Sequence, residues 1–149
     1  MEVDTPKNSK LTTSWKKVLW ESDKRSLWLS HLVRNSEPPR HYVDIRFNFD
    51  QRATRTGVCL FVNEFARLIE DFKNEKIGIV MENEERKLKL IKSSKGWTGI
   101  TLVSKKGQRS VWLNPDAMAN LIQEYEDVIV RCASYYPSKC NLNTLYSPE

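Results

Sequence analysis

Apolar and polar side chains alternate along several short stretches of this chain, as they do in strands with one buried face. The clearest stretch is 41–49, where Val43, Ile45 and Phe47 alternate with polar or charged residues. Other strand-like stretches lie at 15–20, 58–62, 76–82, 87–92, 97–104 and 109–113. Residues 25–33 are compatible with a strand or a short helix, because their apolar residues do not alternate strictly. Each half of the chain therefore has room for four strands.

Two segments instead have the apolar spacing of amphipathic helices. The first is capped by Asn63 and runs to about Asn74, with apolar residues at i, i+3, i+4 and i+7. The second runs to Arg131, with Asn114 as its N-cap and Pro115 as its first helical residue. A shift of 53 residues along the chain superimposes the two apolar stripes. This internal repeat predicts a duplicated ββββα unit, an α+β fold of two antiparallel sheets that are each packed by one amphipathic helix.

The predicted repeats divide the chain into one domain and two tails. The domain spans 14–132, with repeats at about 15–73 and 76–132, and a length of 149 residues suits a single domain. Residues 1–13 are polar and aperiodic, which predicts a flexible N-terminal tail, and 133–149 form a predicted C-terminal tail.

Charge is segregated between the predicted strands and the predicted helix of the second half. The segment from Arg86 to Arg109 holds eight Lys and Arg residues and no acid, whereas 116–127 holds four acids and no base. The whole chain has a formal net charge of +5. This balance suits a polyanionic partner, although many soluble proteins are equally basic without one.

Basic and aromatic side chains on strand faces suit single-stranded nucleic acid, because cations contact phosphates and aromatic rings stack on bases. Lys87 and Lys89 lie on one side of their strand, and Trp97 and Lys105 lie on one side of the next. We predict that one sheet face with Lys87, Lys89, Trp97, Lys105 and Arg109 binds the nucleic acid, aided by Tyr42, Arg46, Arg52 and Arg55.

Two other interpretations of these residues stay open. Lysines on strands also prevent the edges of sheets from pairing with other chains. Trp97 and Trp112 can equally belong to the hydrophobic core, because large aromatic side chains usually bury most of their surface. The clean alternation around Tyr42 and Arg46 favours an exposed position for both of them.

The sequence contains no pattern typical of a metal site or an enzyme. The chain has two histidines, His31 and His41, and three cysteines without Cys-x-x-Cys spacing: Cys59, Cys132 and Cys140. We therefore expect buried free thiols and no metal. His41 and Asp44 have opposite parity on their strand and should point apart. Because no glycine-rich phosphate loop and no cluster of acids or histidines is recognisable, we expect no catalysis, no cofactor and no small-molecule substrate, and a nuclease is disfavoured.

Three segments of the second half carry a resemblance to a known family. They are 86–97 (RKLKLIKSSKGW), 109–113 (RSVWL) and the helix with Met118, Leu121, Ile122 and Tyr125. In this order of basic strand, Lys-Gly turn, long strand, Leu-containing strand and helix, the chain resembles the PUR repeat family, which shares its ββββα unit with the Whirly and positive-cofactor-four families. The resemblance implies binding of single-stranded DNA or RNA on the sheet faces, by two repeats that interlock into one domain. The first half departs from the pattern at Pro38 and Pro39, which lengthen a loop.

We therefore expect a non-catalytic protein whose partner is single-stranded DNA or RNA. The alternative is a protein-interaction or dimerisation module on the same fold, with a homodimer as its simplest form. The sequence has neither a recognisable signal peptide nor about 18 consecutive apolar residues. We accordingly expect no membrane association and an intracellular location, nuclear, cytoplasmic or both.

Overall fold

The computed structural model describes residues 11–133, which form two consecutive ββββα units. The first unit comprises β1 (Leu11–Ser22), β2 (Arg25–Arg34), β3 (Arg40–Phe49), β4 (Arg52–Phe61) and α1 (Val62–Lys73). The second unit comprises β5 (Gly78–Glu82), β6 (Arg86–Lys92), β7 (Thr98–Ser104), β8 (Gly107–Leu113) and α2 (Pro115–Ala133). Each sheet has four antiparallel strands in chain order. The predicted α+β fold of two ββββα repeats is confirmed.

The first strand starts earlier than the alternation predicted. Strand β1 begins at Leu11, so residues 11–13 belong to a strand and not to the predicted N-terminal tail. Helix α2 ends at Ala133, so the first residue of the predicted C-terminal tail belongs to a helix. The rest of the two predicted tails, 1–10 and 134–149, lies outside the described residues.

Strand β2 resolves an ambiguity of the sequence pattern, and strand β4 shows that one predicted strand boundary is wrong. The segment that was compatible with a strand or a helix is strand β2. Strand β4 begins at Arg52, six residues before the predicted strand start at Val58. The chain reverses in a tight turn at Asp50 and Gln51, whose φ angles are +52° and +67°. Because this turn takes only two residues, β4 pairs with β3 from Arg52 onwards.

The two helices begin in different ways. Asn114 caps α2 as predicted, because its Oδ1 accepts a hydrogen bond from the Ala117 N–H at 2.8 Å. The prediction that Asn63 caps α1 is wrong, because α1 begins one residue before it. There the Phe61 N–H donates to Oε1 of Glu64 at 2.9 Å, so a residue of the first turn satisfies a backbone donor at the helix start. Within residues 11–133, neither helix is long and apolar enough to cross a membrane.

Equivalent residues of the two repeats enter one hydrophobic core. Phe65 in α1 and Met118 in α2 are buried, and so are Leu68 and Leu121, as the shift of 53 residues predicts. The strands add alternate apolar residues, among them Leu29, Val43, Ile45, Leu88, Leu90, Ile100 and Val111. The opposite face of each sheet is turned away from this core, and it is called the outer face below.

The helices hold the repeats together because each contacts both sheets. Helix α1 packs on β3 and β4 of its own repeat and on β5 and β6 of the other, while α2 packs on β8 and on β1 and β2. Glu124 of α2 forms an ion pair with Lys17 of β1, with 2.7 Å between Oε2 and Nζ. Glu64 of α1 pairs with Arg86 of β6, with 2.8 Å between Oε1 and Nη2. The two repeats therefore interlock.

Candidate functional site

The outer face of the second sheet carries basic, polar and aromatic residues in rows across its strands. Because directly paired residues of antiparallel strands project to the same face, the register defines these rows. The face consists of Ile79, Glu82, Lys87, Lys89, Ile91, Gly99, Thr101, Val103, Gln108, Ser110 and Trp112. We call it the second-sheet face. Lys87 and Lys89 lie in neighbouring rows on it, opposite the buried Leu88 and Leu90, as predicted.

Trp112 provides the largest aromatic surface of the second-sheet face and is 42% exposed. Its row partners are Gly99 and Ile91. A Cβ atom at position 99 would lie 2.8 Å from Cη2 and 2.9 Å from Cζ3 of Trp112. The glycine therefore makes room for the indole to lie across β7. In the first repeat, the position equivalent to Trp112 is occupied by Cys59, so this indole has no counterpart at the equivalent position of the first sheet.

Trp97 precedes β7 and is 40% exposed, so neither tryptophan belongs to the core. Trp97 and Trp112 line a cleft of about 200 Å³ together with residues of the first sheet. The first sheet contributes Trp20 and Phe47, together with the cationic side chain of Arg25. We call this space the aromatic cleft. It offers aromatic surfaces from both sheets next to a positive charge.

The basic residues predicted in the second half do not all lie on the second-sheet face. Arg109 pairs with a buried leucine of β7 and is exposed on the opposite side of its strand. The prediction that Arg109 shares a face with Lys87 and Lys89 is therefore wrong. Lys105 is exposed in the turn between β7 and β8. Lys87 Nζ lies 3.5 Å from Oε2 of Glu82, in an exposed pair that is too weak to prevent contact with another anion.

The outer face of the first sheet is less basic than predicted, because its central arginine is paired. Arg46 donates to both carboxylate oxygens of Asp44, from Nη2 at 2.8 Å and from Nε at 3.0 Å. A third hydrogen bond runs from Nη1 to the Thr54 carbonyl at 3.0 Å. The hydrogen bonds to Asp44 raise the pKa of the Arg46 guanidinium, and the carboxylate offsets its charge. Arg52 and Arg55 are exposed on β4, which begins before the strand predicted at 58–62.

Tyr42 belongs to a group of aromatic and cationic side chains on the same face. Its ring centroid is 5.6 Å from that of Phe61 and 5.9 Å from the guanidinium carbon of Arg34. The guanidinium carbon of Arg86 lies 4.3 Å from the Phe61 centroid, so this group also joins the first sheet to β6. Tyr42 is therefore half-buried among neighbours and offers only part of its ring.

Trp28 and Lys16 are further residues of this face, which the sequence patterns did not reveal. Trp28 pairs with Arg46 in the register, and Lys16 Nζ lies 5.2 Å from a Trp28 ring centroid. The alternation of Ser26, Trp28 and Ser30 with buried residues is the available signal. The ambiguity between strand and helix in this segment concealed it.

A buried cluster of two histidines and a cysteine lies on the core side of the first sheet. His31 Nε2 is 3.0 Å from His41 Nδ1 and 3.5 Å from Cys132 Sγ. Burial lowers the pKa of both imidazoles, that of His31 to about 4, to which the positive charges of His41 and Arg131 also contribute. Burial raises the pKa of the Cys132 thiol to about 12. Without a metal ion, all three groups are therefore neutral near pH 7.

The sequence also leads to predictions for the parity of His41 and Asp44 and for the cysteine thiols. His41 and Asp44 lie on opposite faces of β3, as their parity predicts. Cys132 is a buried free thiol as predicted, whereas Cys59 is a free thiol that is only half-buried. Desolvation still raises the pKa of Cys59 to about 11. Cys140 lies outside the described residues. The clustering of His31 with His41 and Cys132 was not predictable from spacing, because the three residues come from β2, β3 and α2.

Comparisons of the chain with models of protein families, with curated proteins and with solved structures each found no match. The resemblance to the PUR repeat family therefore stays a prediction, which rests on the order of elements and on the sequence pattern of the second half. Function must accordingly be inferred from the geometry of the second-sheet face, the aromatic cleft and the buried cluster.

Proposed function

We propose that the protein binds single-stranded DNA or RNA through the second-sheet face and the adjoining aromatic cleft. The observation that carries the proposal is the exposed indole of Trp112, which lies one row from Lys89 and two rows from Lys87. An exposed aromatic ring stacks on an unpaired base, while lysines beside it contact the phosphates on either side. Thr101 and Ser110, whose hydroxyl oxygens are 2.9 Å apart, add polar groups to the Lys89 row.

The aromatic cleft supports a preference for unpaired bases. Trp97, Trp112, Trp20 and Phe47 all line it, so an inserted base would have aromatic side chains from both repeats around it. Bases in a duplex are stacked and paired inside the helix, whereas those of a single strand can turn outward into such a cleft. Arg25 at the cleft can contact the phosphate or the edge of an inserted base.

In this proposal the first sheet has a secondary role. Arg46 is held by Asp44, whose almost fully buried carboxylate offsets the charge that the guanidinium would present to a polyanion. Arg52 and Arg55 add exposed cations and Tyr42 adds part of an aromatic ring, but they do not form an arrangement comparable to the neighbouring rows of Lys89 and Trp112.

The proposal includes a relationship to the PUR repeat family and a role without catalysis. The order of strands and helices and the second-half sequence pattern support the relationship. The absence of catalysis is supported by the composition of the second-sheet face, which contains one acid, Glu82, and no histidine. A protein with this partner would act in the nucleus, the cytoplasm or both, without a membrane or a small-molecule substrate.

Fluorescence anisotropy with a labelled single-stranded oligonucleotide and its duplex, at two salt concentrations, tests the proposal. We expect the single strand to bind more tightly, with log affinity falling against log salt by about 0.7 per phosphate contact. Replacing Lys87 and Lys89 by Gln should weaken binding to all sequences and reduce this slope by about 1.4. The matched control replaces Lys24 and Lys76, two exposed lysines outside the second-sheet face, and should leave the slope nearly unchanged.

Three results would count against the proposal. The first is absence of single-strand binding at low salt, and the second is equal salt slopes for the Lys87 and Lys89 variant and the wild type. The third is metal-dependent cleavage of the oligonucleotide by the wild-type protein, which would contradict a purely binding role.

Homodimerisation is a second candidate, because apolar residues are exposed at an edge of the second sheet. Ile79 of the edge strand β5 is 56% exposed, and Ile77 just before it is 53% exposed. Such an edge can pair with a second copy of the chain. Mass measurement in solution, with and without oligonucleotide, separates the two candidates. A tight dimer that buries the second-sheet face and binds no oligonucleotide would favour dimerisation.

A further inference from the structure

Three side chains that can bind a metal ion meet in the core where the two repeats join. His31 projects from β2, His41 from β3 and Cys132 from the last turn of α2, and none is more than 8% exposed. One ligand atom from each residue lies within 4.8 Å of the other two. The first repeat supplies both histidines and the second supplies the cysteine.

The distances in this cluster are close to those that a tetrahedral zinc ion requires. With Zn–N of about 2.0–2.1 Å and Zn–S of about 2.3 Å, tetrahedral angles place two nitrogens about 3.3 Å apart and nitrogen and sulfur about 3.6 Å apart. The observed separations are 3.0 Å between the nitrogens of His31 and His41 and 3.5 Å between His31 and the Cys132 sulfur. The two imidazole planes are 15° apart, with centroids separated by 5.2 Å. A small tilt of the rings therefore turns both nitrogens towards one ion.

We propose that His31, His41 and Cys132 bind one zinc ion or a transition-metal ion of similar softness. Two imidazole nitrogens and a thiolate are a ligand set that zinc accepts. Each neutral imidazole binds through one nitrogen and keeps the N–H on the other, so neither loses a proton. The Cys132 thiol releases its proton to solvent as the bond between sulfur and metal forms. The three protein ligands leave a fourth position for water or another donor.

The ion would fasten the end of α2 to the first sheet. Because Cys132 is distant in sequence from both histidines, one ion closes a long loop and links the two repeats. Arg131, which precedes Cys132 in α2, opposes cation binding, because its positive charge already disfavours a positive charge on His31. The thiolate offsets one positive charge of the ion. We therefore expect weaker zinc binding than at sites with four protein ligands.

Cobalt(II) is a suitable probe, because its absorption spectrum reports both thiolate ligation and tetrahedral geometry. The full-length protein is stripped of metal with a chelator, titrated with Co²⁺ and then titrated with Zn²⁺ in competition. We expect a sulfur-to-cobalt charge-transfer band that saturates at one ion per chain and disappears as zinc replaces cobalt. Cys132→Ser should lose this band and weaken zinc binding by more than about 100-fold, since even indirect partners of metal ligands are worth 10–100-fold. Cys59→Ser and Cys140→Ser are matched controls that should keep the band.

X-ray absorption spectroscopy of the zinc-loaded wild-type protein keeps the test independent of how the variants fold. We expect one sulfur neighbour at about 2.3 Å and nitrogen or oxygen neighbours at about 2.0–2.1 Å. Absence of a thiolate band or a coordination shell without sulfur would overturn the assignment. Loss of the band in Cys140→Ser with its retention in Cys132→Ser would do the same. In these cases the cluster is a buried hydrogen-bonded network only.

Discussion

The ion pair between Arg86 and Glu64 links the first repeat to the strand that carries the candidate lysines. Arg86 donates from Nη2 to Oε1 at 2.8 Å and from Nε to Oε2 at 2.9 Å. Nη2 also donates to the Cys59 carbonyl at 3.0 Å, and the guanidinium covers the ring of Phe61. The side chain of Glu64 is 5% exposed and that of Arg86 is 20% exposed. The pair is therefore largely removed from water.

Replacing Arg86 by Met should strongly destabilise the protein. The thioether side chain keeps the apolar contact with Phe61, but the Glu64 carboxylate stays buried with the Phe61 N–H as its one remaining described donor. Removing one partner of a buried ion pair typically costs about 3–5 kcal/mol, because the other charge is left uncompensated. Since small domains are stable by about 5–15 kcal/mol, the variant should lose a large part of its free energy of unfolding.

Urea unfolding followed by circular dichroism measures this loss. Lys87→Met is the matched control, because Lys87 is the next residue of β6 and its pair with Glu82 is exposed, so it should lose at most about 1 kcal/mol. Adding Glu64→Gln to Arg86→Met should recover part of the stability, because the amide is neutral and can still accept from the Phe61 N–H. The reasoning is refuted if Arg86→Met loses no more than Lys87→Met, or if the double variant is as unstable as the single one.

Two further predictions concern a helix start and the pH dependence of stability. Asn114→Ala should lower the free energy of unfolding by about 1 kcal/mol, because the Ala117 N–H loses its acceptor. Asn63→Ala should lower it less, because Asn63 is not the N-cap of α1. Urea unfolding that gives the opposite order would contradict this prediction. With a chelator present, lowering the pH from 7 to 5 should remove about 2 kcal/mol of stability, as measured by urea unfolding at each pH. Stability falls with falling pH because His31 has a pKa of about 4 in the folded protein and about 6.5 in the unfolded chain, so the unfolded chain binds the proton first. The stability that the neutral imidazole contributes is complete above pH 6.5 and is lost towards pH 4. Stability that does not change between pH 7 and 5 would exclude the neutral buried imidazole.

Most of the fold was predictable because each strand and helix has a local periodicity. The strands alternate around one buried face, and the matching burial of Leu68 and Leu121 reflects a stripe that is visible in both halves of the sequence. The errors arise where a local signal is missing or misleading. The turn at Asp50 and Gln51 has positive φ angles but contains no glycine, so its sequence does not indicate a tight turn. Asn63 is of a residue type that often caps helices, but Glu64 accepts the hydrogen bond from the Phe61 N–H at the start of α1.

The candidate site was predictable only in part, because its geometry depends on pairing between strands. Alternation places Lys87 and Lys89 on one face, but only the register shows that Arg109 lies on the other. The aromatic cleft joins Trp20 of the first strand to Trp112 of the eighth, and no local pattern connects them. The cluster of His31, His41 and Cys132 was unpredictable for the same reason, because its residues come from β2, β3 and α2.

The central claim is the proposal that single-stranded nucleic acid binds on the second-sheet face, and crosslinking tests it most directly. A single-stranded oligonucleotide that carries 5-iodouracil can be photo-crosslinked to the protein, and the modified residues can be located by mass spectrometry. Because crosslinking of this base favours stacked aromatic side chains, we expect Trp112 and Trp97 to be the main sites, and Trp112→Ala to weaken binding by about 1–3 kcal/mol. Crosslinks confined to Trp28 or Tyr42 of the first sheet, or no crosslink above that of a denatured control, would contradict binding on the second-sheet face.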